Sequence, residues 1–239
     1  MRKSLDYFKE VYDEVPGWVQ KMHDYGPDVL DNYTKIRGGI MQDRALSRKE
    51  KDALIASMNA ARLYERSMLF HTKGAIDFGY SVPELAEFFL TAYLYRGDQA
   101  LALSLEAVAY ALELKGKTVK RTEQTPNAAA DSLRLILAWL DGEDTAYLER
   151  VLAAIEQGNT EKTAAEILSD GQVSSRLKQL NMAGNHIMEL DGKGAAPWIV
   201  KSRNAGASEA ELADMGYICI LTAGIPAWFE LSDSLNTIE

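Results

Sequence analysis

Residues 52–97 read DALIASMNAARLYERSMLFHTKGAIDFGYSVPELAEFFLTAYLYRG. A serine followed three residues later by a glutamate forms a capping box, which marks the first turn of a helix, and such pairs stand at positions 47–50 and 81–84. Apolar residues follow each pair at spacings of three and four, as on one face of an amphipathic helix. The sequence predicts a helix from about residue 48 and another over 83–95, and leaves open whether the first runs on to residue 78 or breaks near Asn59.

Helical patterns continue on both sides of this stretch, and no segment shows the alternation or the clustered β-branched residues of a strand. Glycine or proline interrupts them at positions 16–17, 26–27, 38–39 and 191–194. Residues 115–130 lack apolar periodicity and are the predicted linker. We therefore predict an all-α fold. The further predicted helices cover about residues 5–25, 28–36, 99–114, 131–141, 144–157, 160–169, 173–190, 196–205 and 209–222.

An internal repeat organises the chain. The 22 residues from Gly79 align without a gap with the 22 residues from Gly206, 127 positions later, and eight positions are identical. Unrelated sequences of ordinary composition would share about one or two. A shared helix cap explains the first matches, but not the second glycine at the same distance. We predict an internal duplication, with a first helical repeat at residues 1–122 and a second at 123–239, packed as a pseudo-dimer.

The composition argues against several classes of protein. The net charge is −9 with acids and bases interspersed, which argues against a nucleic-acid surface but allows a locally basic pocket for an anionic small molecule. No apolar run reaches the roughly 20 residues of a membrane span, and the N-terminal sequence lacks the apolar core of a secretory signal. We therefore expect a cytoplasmic protein without a membrane partner. Cys219 is the single cysteine, which excludes an internal disulfide.

Several single residues in the first half of the chain stand at characteristic spacings. An acidic residue early in a helix is followed by a histidine, by a Gly-x-Ser-x-x-Glu-Leu helix start eight residues after that histidine, and by Tyr-x-Gly at the end of the next helix. The residues that carry the pattern are Asp52, His71, Gly79, Ser81, Glu84, Leu85 and Tyr95-Arg96-Gly97. In this pattern and in the preceding LSRKEKDALI, the chain resembles the carboxymuconolactone decarboxylase superfamily, which includes the alkylhydroperoxidase-like proteins. The resemblance covers about residues 40–114 well and 173–230 more loosely.

The two cysteines of the peroxidase branch of that superfamily are absent, because Tyr64 and Ser67 stand at their positions. Without a thiolate pair, the resemblance implies the decarboxylase branch, which retains the histidine, and no cofactor is expected. His71 then has the role of general acid and base, with Asp52 at the acidic position. In the second repeat, 127 positions later, Asp52, Ser67 and His71 correspond to Gln179, Gly194 and Trp198. We expect the second repeat to have lost this chemistry.

The spacing of the candidate site residues fits one helix face. Tyr64, Ser67 and His71 follow at intervals of three and four, so a helix through them would bring a phenol, a hydroxyl and an imidazole together. Histidine supplies a proton donor or acceptor near neutral pH, and hydroxyl groups supply hydrogen bonds to a developing enolate. Arg66 and Arg96 are candidates for contact with a substrate carboxylate, although a solvated helix face is the commoner role of such residues.

No metal site is expected, because His23 and His186 have no partner at metal-ligand spacing and no metal-binding or phosphate-binding motif is present. The leading hypothesis is a cofactor-free lyase or isomerase that uses His71 on a small enolisable carboxylate compound. Two alternatives remain: a non-catalytic protein that binds a ligand or partner, and a thiol peroxidase that uses Cys219 alone. The resemblance further implies a homo-oligomer, a trimer of duplicated chains.

Overall fold

The computed structural model describes residues 4–121 and 126–236. Within these ranges the chain forms fourteen helices and no strand, which confirms the predicted all-α fold. The chain divides into two compact units, Met1–Arg44 and Ala45–Glu239. Over the same described residues, no helix has both the length and the apolar character needed to cross a bilayer.

The first unit is a small cluster of three helices around a core of Phe8, Val19 and Leu30, all three fully buried. The predicted interruption at positions 16–17 is confirmed, because it separates the first two helices. The three helices are α1 (Ser4–Tyr12), α2 (Gly17–Tyr25) and α3 (Pro27–Met41).

Helix α3 is longer than the sequence pattern predicts. The predicted helix ends near residue 36, before Gly38 and Gly39, whereas α3 continues through both glycines to Met41. Two helical glycines cost about 2 kcal/mol relative to alanine. Arg37 and Met41 are buried on the same helix, and their packing offsets that cost, so tertiary contacts outweigh local propensity here.

The second unit contains the other eleven helices of the described chain. They are α4 (Arg48–Ala61), α5 (Glu65–Asp77), α6 (Val82–Arg96), α7 (Asp98–Leu114), α8 (Ala129–Trp139), α9 (Ala146–Glu156), α10 (Thr160–Leu168), α11 (Ser175–Met188), α12 (Gly192–Asn204), α13 (Glu209–Ala223) and α14 (Ile225–Ser232). The predicted linker lies between α7 and α8. The predicted boundary between the repeats, at 122/123, falls among residues 122–125, outside the described residues, and stays a prediction.

The helix that begins at the first capping box ends well before residue 78. α4 ends at Ala61, and Leu63 adopts a φ of +58°, the left-handed conformation in which helices commonly end. The Tyr64 amide then donates to the Asn59 carbonyl at 2.8 Å, and α5 begins at the next residue. Every residue of α4 from 51 to 61 is buried, so α4 runs through the core of the second unit.

The first three helices of the second unit return later in the chain. α4, α5 and α6 recur as α11, α12 and α13, with every first and last residue displaced by 127 positions. The capping boxes at 81–84 and 208–211 join the same atoms at 2.8 and 3.2 Å. The connections match as well: φ is 58°, 106° and 85° at Leu63, Gly79 and Gly97, and 59°, 93° and 80° at Leu190, Gly206 and Gly224.

Two buried ion pairs join these equivalent helices crosswise. Lys51 Nζ of α4 lies 3.2 Å from Asp214 Oδ2 of α13, and Lys178 Nζ of α11 lies 2.7 Å from Glu87 Oε2 of α6. Lys178 stands 127 positions after Lys51, and Asp214 stands 127 positions after Glu87. Where residue i contacts j and the equivalent of j contacts the equivalent of i, the interface has two-fold symmetry. The helices α4 and α6 therefore pack against α11 and α13 with approximate two-fold symmetry, as expected for a pseudo-dimer, whereas the internal duplication itself stays a prediction.

Two predictions for the C-terminal part of the chain are wrong. Residues 191–194 were expected to interrupt the helices, but α12 begins at Gly192, because the Asp191 carboxylate accepts a hydrogen bond from the Gly194 amide at 2.9 Å and caps the helix. Helix α14, which follows Gly224, was not predicted at all. Its Gly-Ile-Pro start resembles a loop, although proline is favoured in the first helical turn.

Candidate active site

His71 and Asp52 face each other across the two helices α4 and α5. Their contact joins His71 Nδ1 and Asp52 Oδ1 at 2.7 Å. Asp52 is 1% exposed and His71 is 7% exposed. A short contact between two polar side chains in so dry a place is worth more than the same contact in water. The structure thus brings together Asp52 and His71, which lie 19 residues apart in sequence.

The Asp52 carboxyl group is ionised at neutral pH. Burial by itself raises the pKa of this carboxyl group, but the hydrogen bond and charge of His71, followed by those of Arg48, outweigh burial and lower the pKa below its ordinary value. A carboxylate can only accept hydrogen bonds, so Nδ1 of His71 carries a proton and donates it to Oδ1. In that tautomer the lone pair of the imidazole is on Nε2.

Arg48 and Gly74 surround the same carboxylate. Arg48 Nε donates to Asp52 Oδ2 at 2.6 Å, four residues away on α4. Gly74 lies on α5, three residues after His71, and a Cβ atom built on it would stand 2.6 Å from Cγ and Oδ2 of Asp52. Real side chains do not approach so closely, so α5 can lie against Asp52 only where it carries a glycine.

Ser67 lies one helical turn before His71 on α5 and is half-buried. Its Oγ accepts a hydrogen bond from Asn59 Nδ2 at 3.1 Å, and the same amide group donates to the Ile55 carbonyl at 2.9 Å. Accepting this bond occupies a lone pair of Oγ and leaves the hydroxyl proton for another acceptor. Asn59 therefore holds the Ser67 hydroxyl one helical turn from His71, and the role of Ser67 as a donor to a substrate stays a prediction.

Tyr64 does not share the helix face of Ser67 and His71, and that part of the prediction is wrong. The residue stands outside α5 as its N-cap, with φ −105° and ψ 82°, and it is 51% exposed. The prediction assumed a helix that passes through residue 64. The chain instead turns at Leu63, so the spacing of three between Tyr64 and Ser67 no longer places the two side chains one above the other.

The two arginines predicted to bind a substrate carboxylate have different surroundings. Arg66 is exposed, and its guanidinium lies 6.0 Å from the centre of the Phe70 ring. Arg96 Nε donates to the Ala61 carbonyl at 2.9 Å, and its other end lies 3.6 Å from Glu189. Arg96 therefore caps the C-terminus of α4 and contacts Glu189 of the second repeat. Its role as a substrate ligand stays a prediction, as does that of Arg66.

The single cysteine, Cys219, and His186 contact residues other than Asp52 and His71. Cys219 is fully buried beside the sulfur atoms of Met58 and Met215, and burial raises the pKa of its thiol far above the usual range. A reactive cysteine needs the opposite shift. His186 Nδ1 lies 2.9 Å from Asp191 Oδ2, a contact that sequence spacing did not single out. No group of three or more metal-ligating His, Cys, Asp or Glu side chains occurs in residues 4–121 and 126–236.

The second repeat retains the helices but replaces the polar site. The residues 127 positions after Arg48, Asp52, His71 and Gly74 are Ser175, Gln179, Trp198 and Lys201. The Lys201 ammonium group lies 3.9 Å from the centre of the Trp198 ring, where the first repeat has a glycine next to its carboxylate. The loss of acid–base chemistry from the second repeat stays a prediction.

A cleft of about 780 Å³ opens near the start of α5, and its lining includes Leu63 and three carboxylates, Glu65, Asp98 and Glu106. Neither His71 nor Asp52 lines it. Its negative charge suits a cationic or neutral molecule better than a carboxylate. The cleft is therefore not the place where the His71 imidazole would meet an anionic substrate.

The chain is similar to known proteins in sequence over part of its length and in its fold. Residues 27–110 match the profile of the carboxymuconolactone decarboxylase family. The crystal structure of a protein from Burkholderia xenovorans LB400, provisionally named a gamma-carboxymuconolactone decarboxylase subunit, has a similar fold. It is 17% identical in sequence, with a TM-score of 0.61 over 95% of this chain and 93% of that one. No curated protein sequence gives a significant match to the chain.

Proposed function

We propose that this member of the carboxymuconolactone decarboxylase superfamily is a cytoplasmic lyase or isomerase that acts, without a bound cofactor, on a small enolisable carboxylate compound. The observation that carries the proposal is the hydrogen bond between His71 and Asp52, 2.7 Å long and almost fully buried. A buried carboxylate that accepts from Nδ1 holds the imidazole in the tautomer whose Nε2 can take up or release a proton.

The proposed reaction needs one proton-transfer group and one oxyanion donor. In a decarboxylation, the carbon–carbon bond breaks, carbon dioxide leaves, and the electron pair remains on an enolate. His71 would enter this reaction as the imidazolium, with a proton taken from solvent on Nε2. Nε2 then gives that proton to carbon, and His71 returns to the neutral form with its proton on Nδ1. In an isomerisation, the same nitrogen removes a proton from one carbon and returns it to another. The Ser67 hydroxyl, held by Asn59 at 3.1 Å, would donate to the enolate oxygen. Arg66 is the candidate for the substrate carboxylate.

The assembly is part of the same proposal. The matching helices and the crossed ion pairs Lys51–Asp214 and Lys178–Glu87 support an internal duplication, in which the second repeat retains the scaffold and has lost the site. The Burkholderia protein is named a subunit. We propose a homo-oligomer, a trimer of duplicated chains, and light scattering of the purified protein should give three times the chain mass of 26.5 kDa.

One observation favours a second candidate function, a non-catalytic member of the same fold. The His71 side chain is only 9% exposed, so a substrate reaches it only if neighbouring side chains move. The hypothesis of a thiol peroxidase has less support, because the Cys219 thiol is buried and burial raises its pKa.

Turnover of a panel of small unsaturated and keto carboxylates distinguishes the two candidates. Product analysis should show a substrate that wild-type protein and the Trp198→Phe variant convert at similar rates. The His71→Gln variant should be slower by about 100-fold or more, the usual contribution of a general acid or base. Equal rates in His71→Gln and wild type would refute the proposed chemistry.

A further inference from the structure

The carboxylate of Asp52 has two further neighbours, Arg48 and Gly74. Arg48 belongs to the first turn of α4, one turn before Asp52, and its Nε donates to Oδ2 at 2.6 Å. Only 13% of its side chain is exposed. The Arg48 guanidinium also lies 4.8 Å from the centre of the Phe78 ring. It is thus held between an aromatic face and the carboxylate, which fixes its direction.

Gly74 controls the other side of the carboxylate. A Cβ atom on Gly74 would lie 2.6, 2.6 and 2.8 Å from Cγ, Oδ2 and Oδ1 of Asp52. All three atoms belong to the group that accepts from His71. A methyl group at position 74 must therefore displace the carboxylate itself, and the 2.7 Å contact to Nδ1 along with it.

The second repeat shows that these residues change together. The residues of the buried ion pairs keep their charge in the second repeat, since Lys178 and Asp214 stand at the places of Lys51 and Glu87. The four residues at this site are all replaced, by Ser175, Gln179, Trp198 and Lys201. A glycine retained only for helix packing would have no reason to disappear with the histidine. Once no carboxylate has to fit against α12, position 201 accepts a long side chain, and that side chain is exposed.

We propose that Arg48 and Gly74 are positioning residues for the acid–base pair. Arg48 orients the Asp52 carboxylate by binding Oδ2, and Gly74 provides the space in which Oδ1 reaches His71 Nδ1. The pair then has one arrangement, with the proton on Nδ1 and Nε2 turned away from Asp52. This inference rests on the proposed function only for its consequence in catalysis, because the geometry of the pair exists without a substrate.

Nitrogen-15 NMR of the histidine side chains tests the proposal in the full-length protein without a substrate. The His71→Gln variant assigns the His71 signals among the three histidines of the chain. In wild type, neutral His71 should be protonated at Nδ1. In Gly74→Ala, the ratio of the Nδ1–H to the Nε2–H tautomer should fall about tenfold, because a charge-assisted hydrogen bond is lost. Arg48→Met should lower the same ratio, and Arg48→Lys, which keeps a cationic donor, should restore most of it.

Matched variants separate positioning from general damage. Gly39→Ala adds a methyl group to a helical glycine with no atom within 4 Å, and Arg134→Met removes an exposed arginine, so both should leave the His71 signals unchanged. If Gly74→Ala does not fold, the Arg48 variants decide alone. An unchanged tautomer ratio in folded Gly74→Ala and Arg48→Met would overturn the inference. A changed ratio together with normal turnover by His71→Gln would overturn the proposed function and leave the positioning roles intact.

Discussion

Two regions of the molecule have the same backbone conformation and different side chains. One is the beginning of α4 with the middle of α5, and the other is formed by the corresponding parts of α11 and α12. Their ends, their left-handed connections and their capping boxes coincide at an offset of 127 residues. In the first repeat, a buried carboxylate joins an arginine and a histidine. In the second, Gln179 and Trp198 occupy those places.

The difference separates the residues that the fold requires from those that it does not. The scaffold needs a buried lysine on α4 and on α11 and a carboxylate on α6 and on α13, since each repeat supplies one half of both pairs. It does not need a histidine or an aspartate at the places of His71 and Asp52. A buried ionised carboxylate is costly to maintain, so its presence in one repeat alone points to a use beyond stability.

The largest expected effect on stability comes from the shared ion pairs. Lys51→Met and Lys178→Met should each lower the free energy of unfolding by about 3–5 kcal/mol, because each leaves a buried carboxylate without its partner. Urea denaturation measures both. Lys117→Met, at an exposed ion pair with Glu143, should change the free energy of unfolding by less than about 1 kcal/mol. A large loss for only one of the two buried lysines would show that the repeats are not equivalent in the scaffold.

A smaller effect is expected at Asp52 and depends on pH. The pKa of Asp52 in the folded protein lies below its ordinary value, so its stabilising contribution is present above the pKa of the unfolded chain and is lost as the pH falls through the folded-state pKa. Asp52→Asn should therefore destabilise the protein by about 1–3 kcal/mol at pH 7, with a smaller difference from wild type under acid conditions. Thermal denaturation across the pH range measures this difference. Gln179→Ala, at the equivalent position, should give a change that does not vary with pH in this range.

The smallest effects are expected at the helix caps. Ser81→Ala and Ser208→Ala should each cost about 1 kcal/mol, because each removes the acceptor for an amide of the first helical turn, 3.2 Å away in both repeats. Urea denaturation should give similar values for the two. Costs that differ by more than about 1 kcal/mol would contradict the equivalence of the two helix starts.

The caps also show how far the sequence could predict the fold. Ser47, Ser81 and Ser208 stand three residues before a glutamate, and each begins a helix where the capping box predicts it. Such signals are local, and they survive in the folded chain. The ends of α3 and the start of α12 were placed wrongly, because glycines there are tolerated through buried neighbours and a capping aspartate that no local pattern reveals.

The candidate site was predictable only in part, for a similar reason. Family spacing predicted His71, Asp52 and Ser67, and the structure places all three along the contact between α4 and α5. Arg48 is four residues before Asp52 and could have been read as a helical ion pair. The role of Gly74 depends on how closely two helices approach, which sequence spacing does not contain. The prediction placed Tyr64 within a helix because the left-handed turn before it is at Leu63, and a leucine does not indicate such a turn as a glycine would.

The most direct test of an acid–base site in the first repeat is hydrogen–deuterium exchange into small enolisable carboxylates. Wild-type protein in deuterium oxide should catalyse exchange of the proton next to the carbonyl of at least one compound of a panel, followed by proton NMR. Trp198→Phe should do the same, whereas His71→Gln should lose about 100-fold or more of the rate. Exchange that proceeds equally well without the His71 imidazole, or no exchange by wild-type protein with any compound of the panel, would contradict the assignment of acid–base chemistry to His71 and Asp52.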